Sequence, residues 1–89
     1  MEQKDFIVGS HGCLLIPVAH GNYVKYFVEI TKVGRKYIHT GAKRYKNDNG
    51  LFIEASDEAN NINKALFGRV ALLFPSEVEA NKYLLGGKL

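Results

Sequence analysis

Apolar and polar side chains alternate most clearly over residues 23–44, the longest β-favouring run in the chain. Val24, Tyr26, Val28 and Ile30 share one face of an extended strand, and Lys25, Glu29 and Thr31 share the other. The first set is the expected core face. Phe27 falls among the polar positions, where it is either covered by the C-terminal helix or left exposed as a contact. Lys32-Val33-Gly34-Arg35 reads as a hairpin turn, because Gly34 can take the positive φ that a tight turn needs. Loop length then sets the register. A two-residue loop puts Ile30 opposite Tyr37 and Val28 opposite His39; a three-residue loop puts Ile30 opposite Ile38 and Val28 opposite Thr40. The second register pairs apolar with apolar and is the one expected.

The flanking segments supply further short elements. Phe6-Ile7-Val8 is β-like and is stopped by the loop signature Gly9-Ser10-His11-Gly12. Cys13 to Ile16 is continuously apolar and ends at Pro17, which reads as a short strand buried on both faces or lying at an edge. His20-Gly21-Asn22 makes a loop. Lys46-Asn47-Asp48-Asn49-Gly50 is the strongest turn signal, and residues 51–55 are the strand that follows it. Residues 56–67 read as a short helix or a turn-rich loop, since Ala59, Ile62, Ala65 and Leu66 have helical spacing among several asparagines. Residues 69–74 are a mostly buried strand. Ser76 and Glu79 then form a capping box at the start of a helix that Gly86-Gly87 ends. Val78, Lys82 and Leu85 mark one stripe of that helix, with Ala80, Tyr83 and Leu84 beside it. The sum is a mainly β (α+β) chain: about five strands in a small antiparallel barrel or bent sheet, closed by a C-terminal helix.

Composition narrows the class. Eighty-nine residues make one domain. A hydrophobic fraction of 46% and a charged fraction of 24% describe a globular chain, not a disordered one. The single cysteine, Cys13, excludes an intramolecular disulfide and suits a reducing compartment. No apolar run approaches the roughly 18 residues of a membrane-spanning helix, and the start lacks a signal-peptide layout. The expected location is the cytoplasm.

Charge is lopsided. Seven bases (Lys25, Lys32, Arg35, Lys36, Lys43, Arg44, Lys46) lie over residues 25–46 against one acid, Glu29, and Asp48, Glu54, Asp57 and Glu58 follow. Such a basic patch attracts a polyanion or an acidic protein surface.

The hairpin residues Val28-Glu29-Ile30-Thr31-Lys32-Val33-Gly34-Arg35-Lys36-Tyr37-Ile38 resemble the Val-Thr-Lys-Val-Gly-Arg-Lys-Tyr pattern of small phage and prophage β-barrel proteins. Like them, the chain continues to an apolar strand and a Glu-rich helix, Leu73-Phe74-Pro75-Ser76-Glu77-Val78-Glu79-Ala80. The resemblance implies an SH3-like barrel in a phage context and implies no activity.

Chemistry-bearing residues are few. His11, Cys13 and His20 could offer three metal ligands, with His39 or an acid as a fourth, but they lack the paired spacing of a zinc site. Cys13 lies in an apolar run that raises a thiol pKa, which disfavours a nucleophile. Neither a cofactor nor catalysis is expected. Binding is the expected role, with Lys32, Arg35, Lys36, Tyr37, Lys43, Arg44 and Lys46 on the basic hairpin and Phe27 as an apolar anchor. The expected partner is a host or defence-system protein. The alternative is nucleic acid, with Tyr23, Tyr37 and Tyr45 stacking on unpaired bases. Edge strands leave a homodimer open beside a monomer.

Overall fold

The computed structural model describes residues 1–41, 43–55 and 69–86. Over these, the β-favouring runs form six antiparallel strands in a closed barrel, each paired with the next and the last with the first. They are β1 (His11–Pro17), β2 (Tyr23–Val33), β3 (Tyr37–Thr40), β4 (Arg44–Asp48), β5 (Leu51–Glu54) and β6 (Leu72–Phe74), followed by helix α1 (Glu77–Gly86). The small barrel with a C-terminal helix is as the pattern predicts, with one strand more. The expected helix or loop at 56–67 lies outside the described residues, as does Gly87.

The 23–44 hairpin forms, but in neither expected register. Val33 pairs with Ile38 and Lys32 with His39, then the register shifts and Ile30 pairs with Thr40. Thr31 is the extra residue of a bulge, and its Oγ1 donates to the His39 carbonyl at 3.2 Å. A bulge reverses the inward parity of the strand. Val28, Ile30 and Val33 therefore all pack on the inner core. Gly34 does not take the positive φ expected of it. Its role is steric, since a Cβ there would stand 3.2 Å from the Tyr37 carbonyl oxygen, which accepts the Gly34 N–H at 2.9 Å. By contrast, Asn49 (φ 55°) and Gly50 (φ 90°) make the left-handed two-residue turn that the Asn-Gly pair predicts.

Two apolar layers hold the fold. Phe6, Leu14, Ile30, Ile38, Tyr45, Phe52, Ala71 and Leu73 fill the barrel interior. Cys13, Leu15, Leu72 and Phe74 point outward and are covered by Ala80, with Tyr83 packed alongside. β1 and β6 are thus buried on both faces, which explains their continuous apolar runs. Complete burial of each large side chain contributes roughly 1.5–3 kcal/mol before entropy is subtracted. The helix face is not the Val78/Leu85 stripe: both residues are exposed, and Ala80 is the buried one. Of the capping box, the Ser76 half forms, with Oγ accepting the Glu79 N–H at 3.4 Å.

Phe6 is a plug instead of a strand residue. A 3-10 turn, Gln3–Asp5, drops its ring edge-on against Phe52, 4.7 Å between centroids. Ile7 and Val8 are left exposed. Gln3 Nε2 donates to the Arg35 carbonyl at 2.6 Å and Asn47 Nδ2 to the Met1 carbonyl at 3.0 Å, which ties this plug to the hairpin tip and to β4.

Candidate basic face

Helix α1 covers the β1–β6 side of the barrel, and among the described residues no helix lies on the outer face of β3, β4 and the end of β2. Register places its side chains in rows. Lys32, His39 and Arg44 lie directly opposite one another across three strands, and Tyr37 lies opposite Lys46 in the next row. With strands about 4.8 Å apart, Lys32 and Arg44 anchor the first row roughly 10 Å apart. Arg35 and Lys36 extend the face at the tip, both exposed.

Tyr37 organises this face. The Arg44 guanidinium carbon lies 4.7 Å and Lys36 Nζ 5.5 Å from its ring centroid, within cation–π range. His39 meets the same ring edge-on, at 6.2 Å between centroids. His39 was absent from the expected set. The signal for it was its strand parity with Tyr37.

Among the described residues the cations of this face are left without acidic partners. The ion pairs among the described residues are Lys4–Glu2, Lys25–Glu77, Lys43–Glu54 and Lys82–Glu79. Lys32, Arg35, Lys36, Arg44 and Lys46 belong to none of them. Their charge is therefore available to an incoming anion without breaking a described ion pair.

Two expected members lie elsewhere. Lys43 points to the barrel end, where Nζ reaches Glu54 Oε1 at 2.7 Å. Phe27 is 57% exposed, but it sits six residues before Val33 on β2, about 20 Å along the strand from the tip. The basic face and the apolar anchor are separate surfaces.

The tyrosines also divide. Tyr45 points inward and is buried. Burial, then the Glu54 charge, push its hydroxyl up to about 12, against a smaller lowering by Thr40. Tyr23 packs edge-on to Tyr83 at 6.4 Å and beneath the Arg69 guanidinium at 4.3 Å. Arg69 is fixed there by the carbonyls of Val18, Gly21 and Asn22. Tyr37 alone of the three belongs to the open face.

The acidic half of the charge pattern shrinks as well. Asp48 is exposed, but Glu54 is a core residue, and Asp57 and Glu58 lie outside the described residues. Among the described residues no three His, Cys, Asp or Glu side chains group as metal ligands. His11 and His20 lie toward opposite ends of β1, and His39 is on β3. Burial pushes the Cys13 thiol up, with Lys25 opposing and Glu77 adding to the shift.

Compared with known proteins, the chain matches no protein-family model, no curated protein and no solved structure. No described helix is long and apolar enough to cross a membrane.

Proposed function

We propose that this is a non-enzymatic binding protein whose basic face, Lys32, Arg35, Lys36, Arg44 and Lys46 around Tyr37, docks on an acidic surface of a partner protein and modulates it. The observation that carries this reading is the set of five cations on one face, none in an ion pair with a described residue. Arg44 beside the Tyr37 ring is the anchor, because a guanidinium can grip a carboxylate bidentately while resting on an aromatic face. The resemblance of the hairpin to phage β-barrel proteins points to a host or defence-system protein in the bacterial cytoplasm as that partner. Catalysis is not part of the reading, since the one thiol is buried and its pKa is raised.

Nucleic acid is the second reading, because the same cations neutralise phosphates. It is the weaker one. Tyr45 is buried and Tyr23 is packed under Arg69, which removes two of the three rings that base stacking would use.

Capture from a bacterial lysate separates the readings. The expected result is an acidic protein retained by the wild-type chain and lost with the triple reversal Lys32→Glu, Arg44→Glu, Lys46→Glu. Retention of the same partner by the reversed variant would sink the proposal. Tight, salt-dependent binding of random oligonucleotides, with no protein captured, would establish the second reading instead.

A further inference from the structure

β2 is longer than the strand that pairs with its second edge. Residues Tyr23 to Glu29 all pair with β1, whereas β3 joins β2 only from Ile30 onward. Over residues 23–29 no described strand lies on the other edge. The backbone parity of this edge follows from Ile30, whose N–H donates to the Ser10 carbonyl at 2.9 Å and whose carbonyl accepts the Gly9 N–H at 2.8 Å. Ile30 therefore turns its polar groups toward the β1 side. Since direction alternates along a strand, Val24, Tyr26 and Val28 do the same, and Lys25, Phe27 and Glu29 turn theirs to the open edge. Val24, Tyr26 and Phe27 are exposed here, Tyr26 at 53%. An open edge flanked by exposed apolar side chains is a template for another strand.

We propose that this edge pairs antiparallel with the same edge of a second copy of the chain, about a two-fold axis at Tyr26. Tyr26 is the midpoint of the open stretch. A centre nearer Ile30 drives each strand into the partner's Thr40, the last residue of β3. A centre nearer Tyr23 leaves open edge unpaired and sets Lys25 against Lys25. With the axis at Tyr26, Lys25 stands opposite Phe27 of the second copy and Tyr23 opposite Glu29. The outward N–H and carbonyl groups then meet their counterparts. Val24 stands opposite Val28, and the two Tyr26 rings face each other, so two of the three exposed apolar residues gain apolar partners. Across the axis Lys25 is diagonal both to Glu29 and to Lys25 of the second copy, within reach of long side chains, so Glu29 offsets the like charge there and symmetry repeats the arrangement. Lys25 is already held by Glu77 at 2.9 Å and Asn81 at 3.0 Å, while Glu29 has no ion pair among the described residues. This inference is independent of the basic face.

Sedimentation of the full chain from about 10 μM to about 1 mM should show a monomer–dimer equilibrium. Amide exchange supplies the position. Lys25, Phe27 and Glu29 should exchange more slowly as concentration rises, while Tyr26 and Val28, bonded to β1 in either state, should not change. Tyr26→Lys, which sets two lysines on the axis, should raise the dissociation constant by about tenfold or more with an unchanged circular dichroism spectrum. A single monomeric mass across the range would overturn the proposal. So would a dimer in which the odd-numbered amides gain no protection, because it would form through another face.

Discussion

Lys43 and Glu54 meet at 2.7 Å, and while half the lysine side chain stays in water, the carboxylate side chain is 2% exposed. The pair sits at one end of the barrel interior, where Glu54 faces Tyr45 across β4 and β5. Oε2 of Glu54 is buried with no hydrogen-bond partner. One oxygen of a desolvated carboxylate therefore depends on Lys43. Removing the lysine strands a buried charge, which is the costly way to break an ion pair. Lys43→Met should lower unfolding free energy by about 2–3 kcal/mol, and Glu54→Gln, which retains an acceptor without the charge, by about 1 kcal/mol. Urea denaturation of the two variants checks the order. Equal losses would mean that the charge is solvated.

Tyr45 predicts an alkaline limit on stability. Its hydroxyl is raised from 10.0 to about 12 by burial and by Glu54. Between those values the unfolded chain loses its proton before the folded one, so the folded state binds more protons and stability falls as pH rises. The contribution is fully present below pH 10 and lost through pH 12, about 3 kcal/mol at most. Thermal melts from about pH 8 to about pH 12 should decline along this window, and Tyr45→Phe should flatten the decline.

Gly12 marks the tightest approach in the barrel seam. A Cβ there would stand 2.8 Å from the Phe74 carbonyl oxygen, a backbone atom that cannot swing aside, and 3.1 Å from Ile30 Cδ1. Gly12→Ala should therefore destabilise by about 1–3 kcal/mol by forcing β1 and β6 apart. Ala at Gly41, where nothing lies within 4 Å, is the control and should be near neutral.

The cations of the basic face should act one by one on any polyanion. For a duplex or heparin-like probe, reversal of Lys32, Arg44 or Lys46 should each weaken binding and reduce the salt slope by about 1 or more. Lys43→Glu should not reproduce this pattern, because that side chain is spent on Glu54. An equal effect at Lys43 would place the face wrongly.

Much of the barrel was legible because its signals are local. Asn49-Gly50 adopts left-handed angles that few other pairs take readily, and Ser76 caps a helix from its own first turn. The continuous apolar runs of β1 and β6 reported burial on both faces. Within the candidate site, Lys32, Lys36, Tyr37, Arg44 and Lys46 come together as the hairpin reading requires, with Arg35 at the tip. Lys43 and Phe27 do not. Lys43 leaves because Glu54 lies inside the barrel, which a charge count along the chain cannot show. Phe27 leaves because a single extended strand carries it about 20 Å from the tip.

By itself, then, the sequence determined most of the strands and the Asn49-Gly50 turn, since those depend on dihedral preference and alternation within a few residues. Tertiary structure decided the bulge at Thr31, which returned Val28, Ile30 and Val33 to one interior. It also decided which side the helix covers, and so left the Lys32–His39–Arg44 row open to solvent. Those outcomes turn on which distant faces fit together and exclude water, and no window of neighbouring residues contains that information.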